Sequence, residues 1–254
     1  MHDLVEVADG VHVATSAVYL TTSTVVVAPG GVCLVVDPGV TAHEIDLLSS
    51  AIQGRGWRPI AAWSTHGHWD HLLDGGMFTG LPRWSAGWPV DVETLTNERD
   101  HDPELARALA AAPGDSPAPV GAAPPVPYPS VVDGQLDWPG PAIHVVAHDA
   151  HAPGSTSLVI PSADVLVAGD LLSDVEIPLL DMSSPDPVGT YRAALAQLAG
   201  TAHLVVPGHG HVGPLAPRVA ADLAYLAGSS TDDPRLHAAW LVAAHESQRS
   251  ALPA

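Results

Sequence analysis

The chain has 254 residues, 46% of them hydrophobic and only 15% charged, which is the composition of a globular protein able to bury a sizeable core and not of a disordered one. Nine basic residues, all arginine, stand against 28 acidic ones, for a formal net charge of −19. A field of that sign repels phosphate backbones and excludes a polybasic membrane attachment, so we expect a small-molecule substrate, no nucleic-acid partner and no membrane partner.

The segment Met1–Glu6 is acidic and lacks a long apolar stretch, from which we expect no signal peptide and a cytoplasmic protein. No apolar run reaches the roughly 18 residues of a membrane-spanning helix. Val11–Thr15, Thr22–Val27 and Val32–Val36 are β-branched runs. The turn segments Ala8-Asp9-Gly10 and Pro29-Gly30-Gly31 set them off, which predicts two antiparallel hairpins. The only cysteine, Cys33, falls inside the third run and reads as a buried strand thiol. Thr41 with Glu44 three residues on predicts a capped helix through Ile45, Leu47, Leu48 and Ile52, stopped by Gly54 and Gly56. Pro59–Ser64 predicts a buried strand. Residues 89–112 are Ala-rich and predict helix. Pro113–Pro129 holds seven prolines and predicts a surface loop, within an insertion around 80–135. Strands are expected near Val131 and over Ile143–Val146, Ser157–Ile160 and Val165–Val167. A helix is expected over Pro187–Leu198, a strand over His203–Val206, and helices over about 215–227 and 234–247. Each half runs through strands, a helix, a strand and helices, so two sheets packed face to face with helices outside are expected, as one domain spanning 1–254.

The chemistry concentrates in Thr65-His66-Gly67-His68-Trp69-Asp70-His71. Composition alone would place H-x-H-x-D-H in such a chain about 0.004 times. In an extended segment residues i and i+2 point the same way, so His66 and His68 grip one ion from one side. Asp70 and His71 join the site only if the chain turns near Trp69, and then they face a second ion. Further imidazoles and carboxylates fall at strand ends beside glycine: His151 before Ser157–Ile160, Asp170 after Val165–Val167, and His209 after His203–Val206.

This set of motifs, from Val35-Val36-Asp37-Pro38-Gly39 to Pro207-Gly208-His209, resembles the metallo-β-lactamase superfamily. The resemblance implies an α/β fold, the four-layered αβ/βα sandwich with two mixed sheets, and a metal groove at one edge of the sheets. It implies that His66, His68 and His151 hold a first metal, that Asp70, His71 and His209 hold a second, and that Asp170 bridges them. It also implies that Asp37 orients a ligand from behind. Family members often read Thr-Pro-Gly-His where this chain has His148-Asp149-Ala150-His151, and His148 has no counterpart. His and carboxylate donors suit two Zn2+ ions best, with Fe or Mn able to occupy similar sets. Two divalent ions outweigh two carboxylates and one hydroxide, leaving a positive centre that lowers the pKa of bound water towards 7.

The expected activity is therefore hydrolysis of a small neutral or amphiphilic ester, lactone or amide by a hydroxide bridging the two ions, with Asp70 as the catalytic residue that orients it and takes its proton. The same fold supports other chemistry: a mononuclear iron persulfide dioxygenase, a glyoxalase-II-like thioesterase and a β-lactamase. Trp69 inside the metal loop, and Asp174, Glu176 and Ile177 after Asp170, are expected to contact substrate. Trp84, Trp88 and Trp138 are expected to pack in the core or at the rim. His148 and His211, each close to a ligand residue, are candidates for supporting roles.

Overall fold

A computed structural model describes residues 1, 3–84, 91–121, 130–228 and 232–252. Strands β1 (Val5–Ala8), β2 (Val11–Thr15), β3 (Thr22–Val27) and β4 (Val32–Val36) form an antiparallel meander. Helix α1 (Ala42–Gly54) then crosses over, so that β5 (Arg58–Trp63) pairs parallel to β4 and β6 (Arg83–Trp84) parallel to β5. Helices α2 (Val92–Asp100) and α3 (Pro103–Ala111) precede the second sheet. There β7 (Ser130–Val132), β8 (Gln135–Asp137), β9 (His144–His148), β10 (Ser155–Ile160) and β11 (Val165–Gly169) run antiparallel in sequence. A crossover through α4 (Pro187–Leu198) places β12 (Leu204–Pro207) parallel to β11. The edge strand β13 (Gly213–Pro214) and helices α5 (Leu215–Leu226) and α6 (Ala239–Gln248) complete the described chain.

Three separate apolar cores account for four layers. Side chains alternate across a strand, so each central strand feeds two cores. In β4, Cys33 and Val35 join α1, through Ile45, Leu48 and Ile52, in the first core. Leu34 and Val36 of the same strand face the other sheet. In β11, Val165 and Val167 meet them in the core between the sheets, while Leu166 and Ala168 pack under α4 and α5 with Tyr191, Leu195 and Tyr225. This is the expected helix–sheet–sheet–helix sandwich. At one edge the apolar core gives way to polar stitching between the sheets. Thr22 N donates to Gly208 O (2.8 Å), and Thr156 N donates to Thr65 O (2.8 Å). No helix among the described residues is long and apolar enough to cross a membrane.

Several local expectations are corrected. The helix expected over 89–112 is two helices within its described part. Asp102 caps the second, accepting from Leu105 N (2.8 Å), and Pro103 opens it, so its missing N–H breaks nothing. Residues 89–90 lie outside the described residues. The expected proline-rich surface loop is, over its described part 113–121, partly interior. Ala118 and Val120 are buried in the first core, with Ala118 N on Val40 O and Gly121 N on Leu72 O. Residues 122–129 and Trp88 lie outside the described residues. The last helix begins five residues later than expected, because Asp233 and Arg235 are engaged in a buried ionic network with Asp222. Trp138 packs between the sheets and donates to Pro141 O (2.8 Å).

Candidate metal centre

The stitched edge gathers the polar residues that follow the buried strands. β5 ends at Trp63, and His66 and His68 follow in a bend, His68 itself with extended dihedrals. The chain then turns through a single 3-10 turn, Trp69–His71. That is the turn needed to bring Asp70 and His71 round to the same side. The second sheet supplies His151 from the β9–β10 connection, Asp170 from the end of β11 and His209 from the end of β12.

Two groups of donor atoms result, one of His66, His68, His151 and Asp170 and one of Asp70, His71 and His209. In the first, His68 Nδ1 lies 3.0 Å from both His66 Nε2 and His151 Nε2. In the second, His71 Nε2 and His209 Nε2 are 3.3 Å apart, and Asp70 Oδ2 is 3.3 Å from His209 Nε2. Tetrahedral nitrogen ligands at the usual ion distance stand about 3.3 Å apart, so these spacings fit ions. Asp170 Oδ2 is 3.4 Å from His66 Nε2 and 3.3 Å from both His151 Nε2 and His209 Nε2. It therefore touches both groups. Asp170 Oδ1 is buried with no hydrogen bond among the described residues.

The far sides of the rings fix which nitrogen faces inward. His151 Nδ1 donates to Leu179 O (2.9 Å), and His209 Nδ1 to Tyr19 O (3.2 Å). His71 Nδ1 donates to Asp37 Oδ2 (2.9 Å), whose carboxylate also accepts from Thr65 N and Thr65 Oγ1. Each of these rings therefore turns Nε2 towards the centre, the nitrogen that a bound cation would take as its ligand. Burial disfavours charge on His68, His71, His151 and His209. It prevails at His151, pushed down to about 4, and at His68, where His66 adds to it. At His71 carboxylates outweigh burial, with Asp170 and Asp70 leading; at His209 Glu176 and Asp170 do so, raising it to about 10. Burial pushes the Glu176 carboxyl up to about 7.

The centre opens into a groove of about 450 Å³. Of the residues expected to contact substrate, Trp69 and Glu176 line it. Asp174 does not: it pairs with His211 Nδ1 and Arg218 Nη1, each at 3.0 Å. Ile177 does not either, being buried in the core under α4 and α5. Closeness in sequence to Asp170 misleads here, because the chain bends at Leu172 (φ +63°) and carries Ile177 into the core. The groove also draws on Tyr19, His101, Asp102 and Trp240, which come from distant segments and carry no local motif. His148 is no ligand: its Nε2 lies 3.1 Å from Ser157 Oγ on the neighbouring strand. His211 is a surface partner of Asp174.

A family model described as the metallo-beta-lactamase superfamily matches residues 18–209. A stretch of 140 residues, 55% of the chain, is 29% identical to the probable metallo-hydrolase YqgX of Bacillus subtilis (strain 168) and spans 61% of that protein. Among solved structures the chain is similar to the metallo-beta-lactamase family protein TTHA1429 from Thermus thermophilus. The TM-score is 0.62 at 18% identity, covering 87% of this chain and 80% of that one. It is also similar to TTHA1623, solved in a di-iron-bound form, with a TM-score of 0.57 at 22% identity, covering 80% and 94%. At these identities the structural likeness is one of fold.

Proposed function

Because this chain belongs to the metallo-beta-lactamase superfamily, we propose that it is a hydrolase whose centre takes two divalent ions, with a donor set suited to zinc, and that it cleaves a small ester, lactone or amide. The observation that supports this best is the position of Asp170, whose Oδ2 lies within 3.4 Å of inward-facing nitrogens of both donor groups. A mononuclear centre would leave one of those groups without a role. His66, His68 and His151 would hold one ion, Asp70, His71 and His209 the other, and Asp170 both. Bound there, the ions would supply an acidified water and a Lewis acid for the carbonyl.

The protein's own share of the reaction is orientation and proton handling. Asp70 turns Oδ2 towards His71 and His209 (3.5 and 3.3 Å), so Oδ1 would be the oxygen left to take the proton released on attack. Asp37, Leu179 O and Tyr19 O hold their rings in the ligating tautomer. Trp69 and Leu179 line the groove, where they would limit water beside a bound carbonyl.

Elemental analysis of the purified, chelator-free protein, followed by assays with generic esters and lactones, tests this. Two ions per chain are expected, with turnover that Asp170→Ala abolishes as metal is lost. One iron per chain with little zinc, and oxygen consumption on persulfides, would overturn the proposal in favour of a dioxygenase. An Asp170→Ala protein keeping full metal content and rate would overturn the ligand assignment.

A further inference from the structure

The sequence holds no lysine, and the arginines on the elements around the groove are engaged elsewhere. Arg99 pairs with Asp100 and donates to Ala118 O, Arg218 pairs with Asp174, and Arg235 pairs with Asp222 and Asp233. Residues 85–90, 122–129 and 229–231 contain no lysine or arginine to bring in. The groove is lined by no arginine, while Glu98, Asp102 and Glu176 line it in addition to the candidate ligands. These three acids outnumber the single positive charge left at an ion-loaded centre, so an anionic substrate would meet net repulsion there.

Two of these acids differ in what satisfies them. Asp102 is occupied, capping α3 and accepting from Tyr19 Oη (2.9 Å). Glu176 is only 7% exposed; its carboxylate opens onto the groove, with His209 Nδ1 the nearest cationic partner among the described residues. His209 Nδ1 is 4.0 Å away and already turned to Tyr19 O and Thr21 Oγ1. A carboxylate largely enclosed by protein and with no close protein cation favours a cation that reaches it from the groove. Glu176 also lines a smaller adjoining cavity of about 210 Å³, and Tyr19 and Trp240 line both spaces with it. Their rings stand edge to face at 5.6 Å. A desolvated carboxylate beside two aromatic rings is the combination that recognises an alkylammonium group.

We propose that the groove accepts substrates carrying an ammonium group, held by Glu176 and the Tyr19–Trp240 pair beside the metal centre, and that it rejects anionic substrates. The proposal rests on the hydrolase reading for the reaction but not for the binding.

The test uses the zinc-loaded full chain and two isosteric probes, choline and the uncharged 3,3-dimethylbutan-1-ol, titrated by calorimetry. Choline is expected to bind at least about tenfold more tightly, and Glu176→Gln, at full zinc content, to bring the two affinities within about twofold. Should Glu176→Gln lose metal, Trp240→Leu is the second variant, and the preference should fall there too. Equal affinities in the parent protein, or a preference that survives both substitutions, would overturn the proposal. Hydrolysis of acetylcholine and 3,3-dimethylbutyl acetate separates it from the hydrolase reading. A binding preference with neither ester cleaved removes the hydrolase and keeps the ammonium site. Equal cleavage of both, with no binding preference, does the reverse.

Discussion

Replacing Asp37 with asparagine tests how much of the centre depends on a residue that touches no metal. Asp37 sits just past β4 with φ +48°, a conformation asparagine adopts readily, so the backbone is not strained by the change. Its carboxylate receives three hydrogen bonds: from Thr65 N to Oδ1 (2.9 Å), and from Thr65 Oγ1 (2.7 Å) and His71 Nδ1 (2.9 Å) to Oδ2. An amide offers a single acceptor oxygen. Either Thr65 N or His71 Nδ1–H then faces an NH2 group, or His71 changes tautomer and loses the lone pair at Nε2 that faces Asp170 (3.1 Å) and His209 (3.3 Å). A hydrogen bond to a charged group contributes about 1.5–3 kcal/mol, so affinity for the ion held by Asp70, His71 and His209 should fall by about 10- to 100-fold. The other ion should change by less than about threefold. In the metal-free protein the unsatisfied donor costs about 1–3 kcal/mol, or about 2–4 °C of melting temperature per kcal/mol. Stepwise chelator competition and thermal melts of metal-free protein measure the two effects. Two ions held with parent affinity would refute the reasoning, as would an equal loss at both.

Further perturbations probe the surroundings. A Cβ at Gly208 would overlap Asp170 Oδ1 and stand 3.0 Å from the Gly169 carbonyl carbon, so Gly208→Ala should fold yet lose most bound metal; unchanged metal content by elemental analysis would contradict this. Arg235→Ala strands Asp222, whose carboxyl burial already pushes up against the pull of Arg235, and should cost about 3–5 kcal/mol in urea unfolding; a loss below about 1 kcal/mol would mean the pair does not hold the fold. Burial pushes the Cys33 thiol up to about 12, so thiol reagents at pH 8 should label it only as fast as the protein unfolds, and rapid labelling of native protein would show the first core to be open.

What the sequence makes legible is what local chemistry dictates. β2, β3 and β4 match their β-branched runs residue for residue. The Thr41–Glu44 capping box opens α1 as read. The expected turn at Trp69 is present, and the seven residues assigned by resemblance to the metals converge. What escaped is set by distant partners. Strand β1 is half-exposed and defined by its pairing with β2. The burial of Ala118 and Val120 depends on backbone hydrogen bonds to Val40 and Leu72, which no proline count discloses. Glu44 does more than cap: its carboxylate also takes Ser16 Oγ and Ala17 N from the β2–β3 connection. The Asp102-Pro103 break was a readable signal, since an N-cap followed by proline at the first helical position marks a helix start.

Each donor group straddles the sandwich. His66 and His68 come from the first sheet and His151 and Asp170 from the second; Asp70 and His71 come from the first and His209 from the second. No half of the chain carries a full coordination set, so a nascent or partly unfolded molecule offers only fragments of one. Tight ion capture therefore waits for the two sheets to close on the core of Leu34, Val36, Trp63, Leu158, Val167 and Val206. Metal retention becomes a gauge of tertiary closure, and damage to that distant apolar interface should surface as a leaking centre before secondary structure is lost.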